Sequence, residues 1–129
     1  MSMKQLTHSI ELTASPAEVY KALITSDKHT AFTGAPAEFE SKVNGVFSTF
    51  NGAITGKITN LVENKRIEMD WRAGGFPEGF YTKVVFDLEK NNKGTTLSFV
   101  HSGLPAEAVD MINEGWQVNY WQKLPGYFS

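Results

Sequence analysis

Three histidines, at positions 8, 29 and 101, are the side chains best suited to acid–base chemistry or metal ligation near neutral pH. His8 alternates with Leu6 and Ile10, and His101 with Leu97 and Phe99, so each falls on the apolar side of a strand-like segment. If those two segments pair antiparallel, both histidines lie toward the same end of the pair. There they would meet, or share a polar spot at the mouth of a cavity. The alternative is a hydrogen-bonded core or rim histidine at each position, and it is favoured because no third ligand or acid partner is evident. His29 falls in a helical region elsewhere, and neither H-x-x-x-H nor a paired-carboxylate spacing occurs, so no metal site is expected. Ser, His and Asp are present at no spacing that argues for nucleophilic catalysis. A nucleophile elbow, a phosphate-cradling glycine loop and a dinucleotide fingerprint are all missing. No catalytic residue and no cofactor are assigned. An enzyme would have to work through a buried polar group that leaves no local motif.

A second group of residues could bind. Glu114 to Leu124 reads EGWQVNYWQKL, with Trp116, Tyr120 and Trp121 beside amides. Val109, Ile112, Trp116, Tyr120 and Leu124 recur at spacings of three or four, the stripe of a helix, with Trp121 at its border and Asn113 interrupting it. Asn113, Gln117 and Asn119 could orient the polar end of a ligand, although the last two more often face solvent. The loop Ala73 to Gly79 sets one large aromatic, Phe76, among glycines, followed by Pro77 and Glu78. It reads either as a lid or partner-contact loop, or as a hairpin connection whose Phe76 covers a sheet edge.

The elements that must position these residues follow from periodicity. Gln5–Thr13 alternates as a half-buried strand. Ser15-Pro16-Ala17-Glu18 carries a cap, a first-turn proline and a capping-box glutamate, and Val19, Tyr20, Leu23 and Ile24 supply the stripe of the helix that follows. Ser26-Asp27 is expected to cap a second short helix ending near Gly34. Six strands come next, over residues 37–40, 46–50, 53–62, 66–72, 80–89 and 95–101. Asn44-Gly45 and Asn51-Gly52 mark tight hairpins, whose type I′ turns need positive φ at both central residues. Arg66, Glu68, Asp70 and Arg72 are expected to face water, opposite Ile67, Met69 and Trp71. A last helix is expected from Pro105 to Pro125-Gly126, about 20 residues and about 30 Å long, lying on the dry face of an antiparallel sheet.

Composition bounds the function. The chain has 129 residues, 41% of them hydrophobic, and a net charge of −2, which suits one globular domain over residues 1–129. No Lys/Arg cluster offers a footprint for nucleic acid or an anionic membrane. Cysteine is absent, and neither a signal peptide nor a membrane-span-length apolar run is seen, so a cytoplasmic location is the expectation.

The order of strand, two helices, six strands and long C-terminal helix resembles the helix-grip fold of the START-like (SRPBCC) superfamily. Within it the chain resembles the family of activators of the heat-shock protein 90 ATPase. The resemblance is carried by LTASPAEVYKAL (Leu12–Leu23), AFTGAPAEFE (Ala31–Glu40), the stretch from Val43 to Arg72, FPEGFYTKVVF (Phe76–Phe86), GTTLSFVHSGLP (Gly94–Pro105) and EGWQVNYW (Glu114–Trp121). Ala31-Phe32-Thr33, Ala35-Pro36-Ala37 and Pro77-Glu78-Gly79 look closer to the C-terminal half of the eukaryotic co-chaperones than to the family at large. Those carry a separate N-terminal chaperone-binding domain to which no segment here corresponds, so the resemblance implies the fold more strongly than ATPase stimulation. It implies an α+β fold, a seven-stranded curved antiparallel sheet around the last helix, in a superfamily that includes binders of hydrophobic ligands and some cyclase-like enzymes.

In that fold Phe39, Phe50, Ile54, Ile58, Met69, Trp71, Phe86 and Phe99 would face Trp116, Tyr120 and Leu124. A hydrophobic ligand would then meet His8, Phe39, Phe50, Trp71, Phe86, Phe99, His101, Trp116 and Tyr120. An empty void of roughly 300 Å³ would cost roughly 7 kcal/mol, against a net domain stability of about 5–15 kcal/mol. A pocket must therefore be small, hydrated or occupied. The expected function is a non-enzymatic domain binding a small hydrophobic ligand, a protein partner, or both. The alternatives are a stress-response co-chaperone that stimulates a heat-shock protein 90-type chaperone, and a cyclase-like enzyme using the cavity. The sequence leaves the oligomeric state open.

Overall fold

The computed structural model describes residues 3–128. Seven strands, β1 (Met3–Leu12), β2 (Glu38–Phe39), β3 (Val46–Thr49), β4 (Ile54–Val62), β5 (Arg66–Ala73), β6 (Thr82–Lys90) and β7 (Thr95–Pro105), form one antiparallel sheet in the order β1-β7-β6-β5-β4-β3-β2. Helices α1 (Pro16–Ile24) and α2 (Ser26–Thr33) follow β1, and the chain after β7 is helical from Ala106 to Trp121. This is the helix-grip arrangement.

Alternation makes one side of the sheet dry. β5 buries Ile67, Met69 and Trp71; β6 buries Thr82, Val84, Phe86 and Leu88. The register lines these up in rows. His8, Phe99, Phe86 and Ile67 cross the sheet in one, and Leu6, His101, Val84 and Met69 in the next. Register shifts between Lys4 and Leu6 and between Ile58 and Asn60 mark bulges, which increase local twist and help the sheet wrap the helix. On the outer face Arg66 pairs with Asp87 at 2.7 Å and with Glu68 at 2.8 Å.

Local chemistry explains the element ends. Ser15 and Glu18 form the expected capping box at α1. The start of α2 differs from expectation. Thr25 occupies its N-cap without a side-chain bond, while the Ser26 hydroxyl accepts from Phe39 N at 2.9 Å and ties α2 to β2. Asn51 and Gly52 both take positive φ, 57° and 89°, as their turn requires. At Asn44-Gly45 only Asn44 does. Gly45 instead serves close packing, because a Cβ there would lie 2.1 Å from the Glu40 carbonyl oxygen.

The C-terminal segment departs from a uniform helix. β7 runs on to Pro105 because β1, starting at Met3, supplies partners for Leu104 and Pro105. A 3₁₀ turn (Ala106–Ala108) then leads into α3 (Val109–Trp116). Residues Gln117–Trp121 form a π turn, with Gln122 N bonded to Gln117 O at 2.9 Å, and α4 (Leu124–Tyr127) carries Pro125 in its first turn. The π turn explains Trp121. Residues five apart share a face in a π turn but not in an α-helix, and the Trp116 and Trp121 rings stack 5.8 Å apart. Both are buried, as are Tyr120 and Leu124. Among the described residues no helix is long and apolar enough to cross a membrane.

Candidate binding cleft under the C-terminal helix

The seam between helix and sheet is filled along most of its length. It opens at one end into a cleft of about 220 Å³, between Ile54, Trp71 and Ala73 of the sheet and Ile112, Gly115 and Trp116 of α3. Phe50 and Tyr120 complete its walls, and Met111, 70% exposed, stands on its rim. Asn119 is a polar member of the lining, whereas Asn113 bonds His8 instead. The size agrees with the energetic bound, since an open cleft of this volume leaves no sealed void.

Phe50 reaches the cleft by an unusual backbone. Its φ of +53° is left-handed, a conformation that bulky side chains rarely adopt and that costs on the order of 1–3 kcal/mol. Asn51 N, bonded to Pro36 O at 3.0 Å, anchors the turn from the other side.

Behind the cleft lies a polar cluster. His29, 2% exposed, places Nε2 2.7 Å from the Tyr120 hydroxyl and sits among the rings of Phe32, Phe39 and Tyr120. Burial lowers the His29 pKa to about 4, so the ring is neutral at pH 7. Burial likewise pushes the Tyr120 phenol well above its ordinary value, opposed by the nearby Thr49 hydroxyl, which falls short of a well-formed hydrogen bond. His29 Nδ1 has no protein partner. A small inner void of about 10 Å³ touches His29, Thr49 and Tyr120, with Phe39 and Phe86 also on its walls. The sequence reading set His29 apart, but α2 turns it into the same interior. The signal was the spacing of His29, Phe32 and Thr33, the three buried residues of α2. It was masked by the polar composition of that helix.

His101 is part of a clamp. Thr82 Oγ1 donates to Trp71 O at 2.9 Å, so it accepts from His101 Nε2 at 2.7 Å, and His101 Nδ1 accepts from the Trp116 indole at 3.0 Å. The chain of bonds fixes the tautomer and joins β5, β6 and β7 to α3. Burial lowers the His101 pKa to about 3. His8, half-buried, has Nε2 2.8 Å from Asn113 Oδ1. The two histidines thus keep separate partners, as core and rim residues. Among the described residues no group of three or more His, Cys, Asp or Glu could hold a metal ion.

Of the residues expected to meet a ligand, Phe50, Trp71, Trp116 and Tyr120 line the cleft. Phe39 and Phe86 border the inner void, while Phe99 lies in the packed core with His101. In the Ala73–Gly79 loop, Phe76 is buried against Trp71 and Phe80, while Pro77 and Glu78 are exposed. Arg72, on the outward side of β5, also donates to the carbonyls of Phe76 at 2.9 Å, Phe80 at 3.3 Å and Pro77, and so pins the loop.

Comparison with known proteins places this architecture. The family model described as activator of Hsp90 ATPase homolog 1-like protein matches residues 13–129. The mouse activator of 90 kDa heat shock protein ATPase homolog 1 is 34% identical over 115 residues, 89% of this chain and 34% of the relative. A Dictyostelium discoideum homologue is 28% identical over 127 residues, 98% of this chain and 33% of the relative. The chain thus spans about a third of the length of the curated relatives it matches. Among solved structures, an HSP90 activator from Plasmodium falciparum superposes with a TM-score of 0.82 at 24% identity, covering 93% of this chain and 91% of that one. The Aha1 dimer from Colwellia psychrerythraea gives 0.83 at 26%, covering 97% and 96%. The chain belongs to the family of activator of Hsp90 ATPase homolog 1-like proteins.

Proposed function

We propose that the protein is a non-enzymatic, cytoplasmic binding domain that takes a small hydrophobic ligand in the cleft beside Trp116. The observation that carries this reading is the open cleft of about 220 Å³ walled by Phe50, Trp71, Trp116 and Tyr120. Concave, mostly apolar spaces with a few placed polar groups are the usual form of small-molecule sites. Gly115 makes the test clean. It lines the cleft, and a Cβ added there meets nothing within 4 Å, so leucine at this position extends into free space. Titration with the neutral dye N-phenyl-1-naphthylamine should quench tryptophan fluorescence and brighten the dye. Gly115→Leu should weaken binding at least about tenfold, or about 1.4 kcal/mol, with an unchanged circular dichroism spectrum. Equal binding by the variant would remove the cleft as the site.

The names of the relatives carry a second reading, in which the domain engages a heat-shock protein 90-type chaperone and raises its ATP turnover. The exposed Pro77 and Glu78 of the pinned loop offer a preformed contact for such a partner. Chaperone ATPase assays with and without the purified protein test it. An unchanged turnover, together with no co-purification, would leave only the ligand reading.

A further inference from the structure

The inner void and the cleft share Trp71, Trp116 and Tyr120 as walls, so the polar cluster lies directly behind the apolar space. Resting on the ligand reading above, we infer that the ligand carries one uncharged oxygen, a hydroxyl or a carbonyl, which enters between His29, Thr49 and Tyr120 while its apolar body fills the cleft. Three observations converge on this. His29 Nδ1 lacks a hydrogen-bond partner and Thr49 Oγ1, beside the Tyr120 hydroxyl, makes no well-formed one, on residues each 2% exposed, and a buried polar atom left unpaired is costly. The void of about 10 Å³ has room for about one water-sized oxygen and no larger group. No charged side chain lines either space, so a carboxylate or an ammonium group would be desolvated without a counter-ion.

Phe50 is the cleft residue whose ring approaches the cluster. It lines the cleft, and its ring lies 6.1 Å from that of Tyr120 and 6.3 Å from that of His29. The head group would reach the cluster past the shared wall of Trp71, Trp116 and Tyr120. The neutral imidazole offers a donor or an acceptor according to its tautomer, so it suits either a carbonyl or a hydroxyl.

The experiment compares three probes of one ring system by isothermal titration calorimetry: 2-naphthol, 2-methylnaphthalene and 2-naphthoate. On the unaltered protein 2-naphthol should bind about five- to tenfold tighter than 2-methylnaphthalene, the fold-change of about one net hydrogen bond, and 2-naphthoate should bind more weakly than both. Thr49→Val, which keeps the side-chain shape and removes the hydroxyl, should narrow the gap between the first two. Equal affinities for 2-naphthol and 2-methylnaphthalene would overturn the head-group inference while leaving the cleft a hydrophobic site. Failure of all three to bind would overturn the ligand reading itself. The three-probe comparison needs no variant, so a poorly folded Thr49→Val would not decide it.

Discussion

At neutral pH His29 and His101 are both uncharged and buried, and that state depends on pH. Their folded pKa values, about 4 and about 3, lie below the ordinary 6.5. Above about pH 6.5 neither the folded nor the unfolded chain carries these protons, and the full stability is present. As pH falls below it the unfolded chain takes up protons that the folded chain refuses, so stability drops until the folded pKa values are reached. At pH 5 the loss should be about 2 kcal/mol per histidine. Urea denaturation at pH 7 and pH 5 measures it, and equal stabilities would contradict the burial of both rings as neutral species. His101 was legible as an inward residue from strand parity. Its indole partner was not, because the rotation of the C-terminal helix sets where Trp116 Nε1 points. His29 was missed for a related reason: a short helix with weak amphipathic contrast hides which face turns inward.

The C-terminal helix shows how one element can satisfy more residues than its period allows. A plain α-helix would bury Ile112, Trp116 and Tyr120 and turn Trp121 away; the π turn brings Trp121 back to stack on Trp116. The stacked Trp121 should therefore carry measurable stability. Trp121→Ala should destabilise the protein by at least about 3 kcal/mol, the scale of losing a buried aromatic. Thermal denaturation and near-ultraviolet circular dichroism would register it; an unchanged melting temperature would mean that Trp121 contributes nothing. Gly115→Ala should act oppositely. Its Cβ meets no neighbour, so stability should rise by about 0.5–1 kcal/mol from helix propensity alone, again read by urea denaturation. The spacing in the sequence located this helix and its stripe but not its internal break, since a one-residue widening leaves the hydrophobic count unchanged.

Across the whole molecule, the arrangement of strands was legible because each strand alternates, each hairpin carries turn residues, and the two helices interrupt the pattern once. Ile67, Met69 and Trp71 face inward as their parity requires, and the capping box at Ser15 forms where its residues stand. The site was legible only in part. Parity assigned Trp71 and Trp116 to the interior, but not which stretch of the seam would close and which would stay open. That is set by packing between distant segments: Phe99 and His101 fill one end under Trp116, while Phe50 and Ala53 of the turn after β3 wall the open one. Arg72 shows the same limit. Its parity is outward, yet three carbonyls of one loop curl back to reach it.

The left-handed turn at Phe50 has a consequence for how this protein can diversify. Position 50 is a post fixed by the main chain, and whatever side chain stands there becomes part of the cleft wall. Glycine would relax the post and remove that part of the wall. Asparagine would keep the post at ease and make the wall wet. A single codon thus chooses between a bare, a moist and a greasy lining, while the strands behind it stay as built.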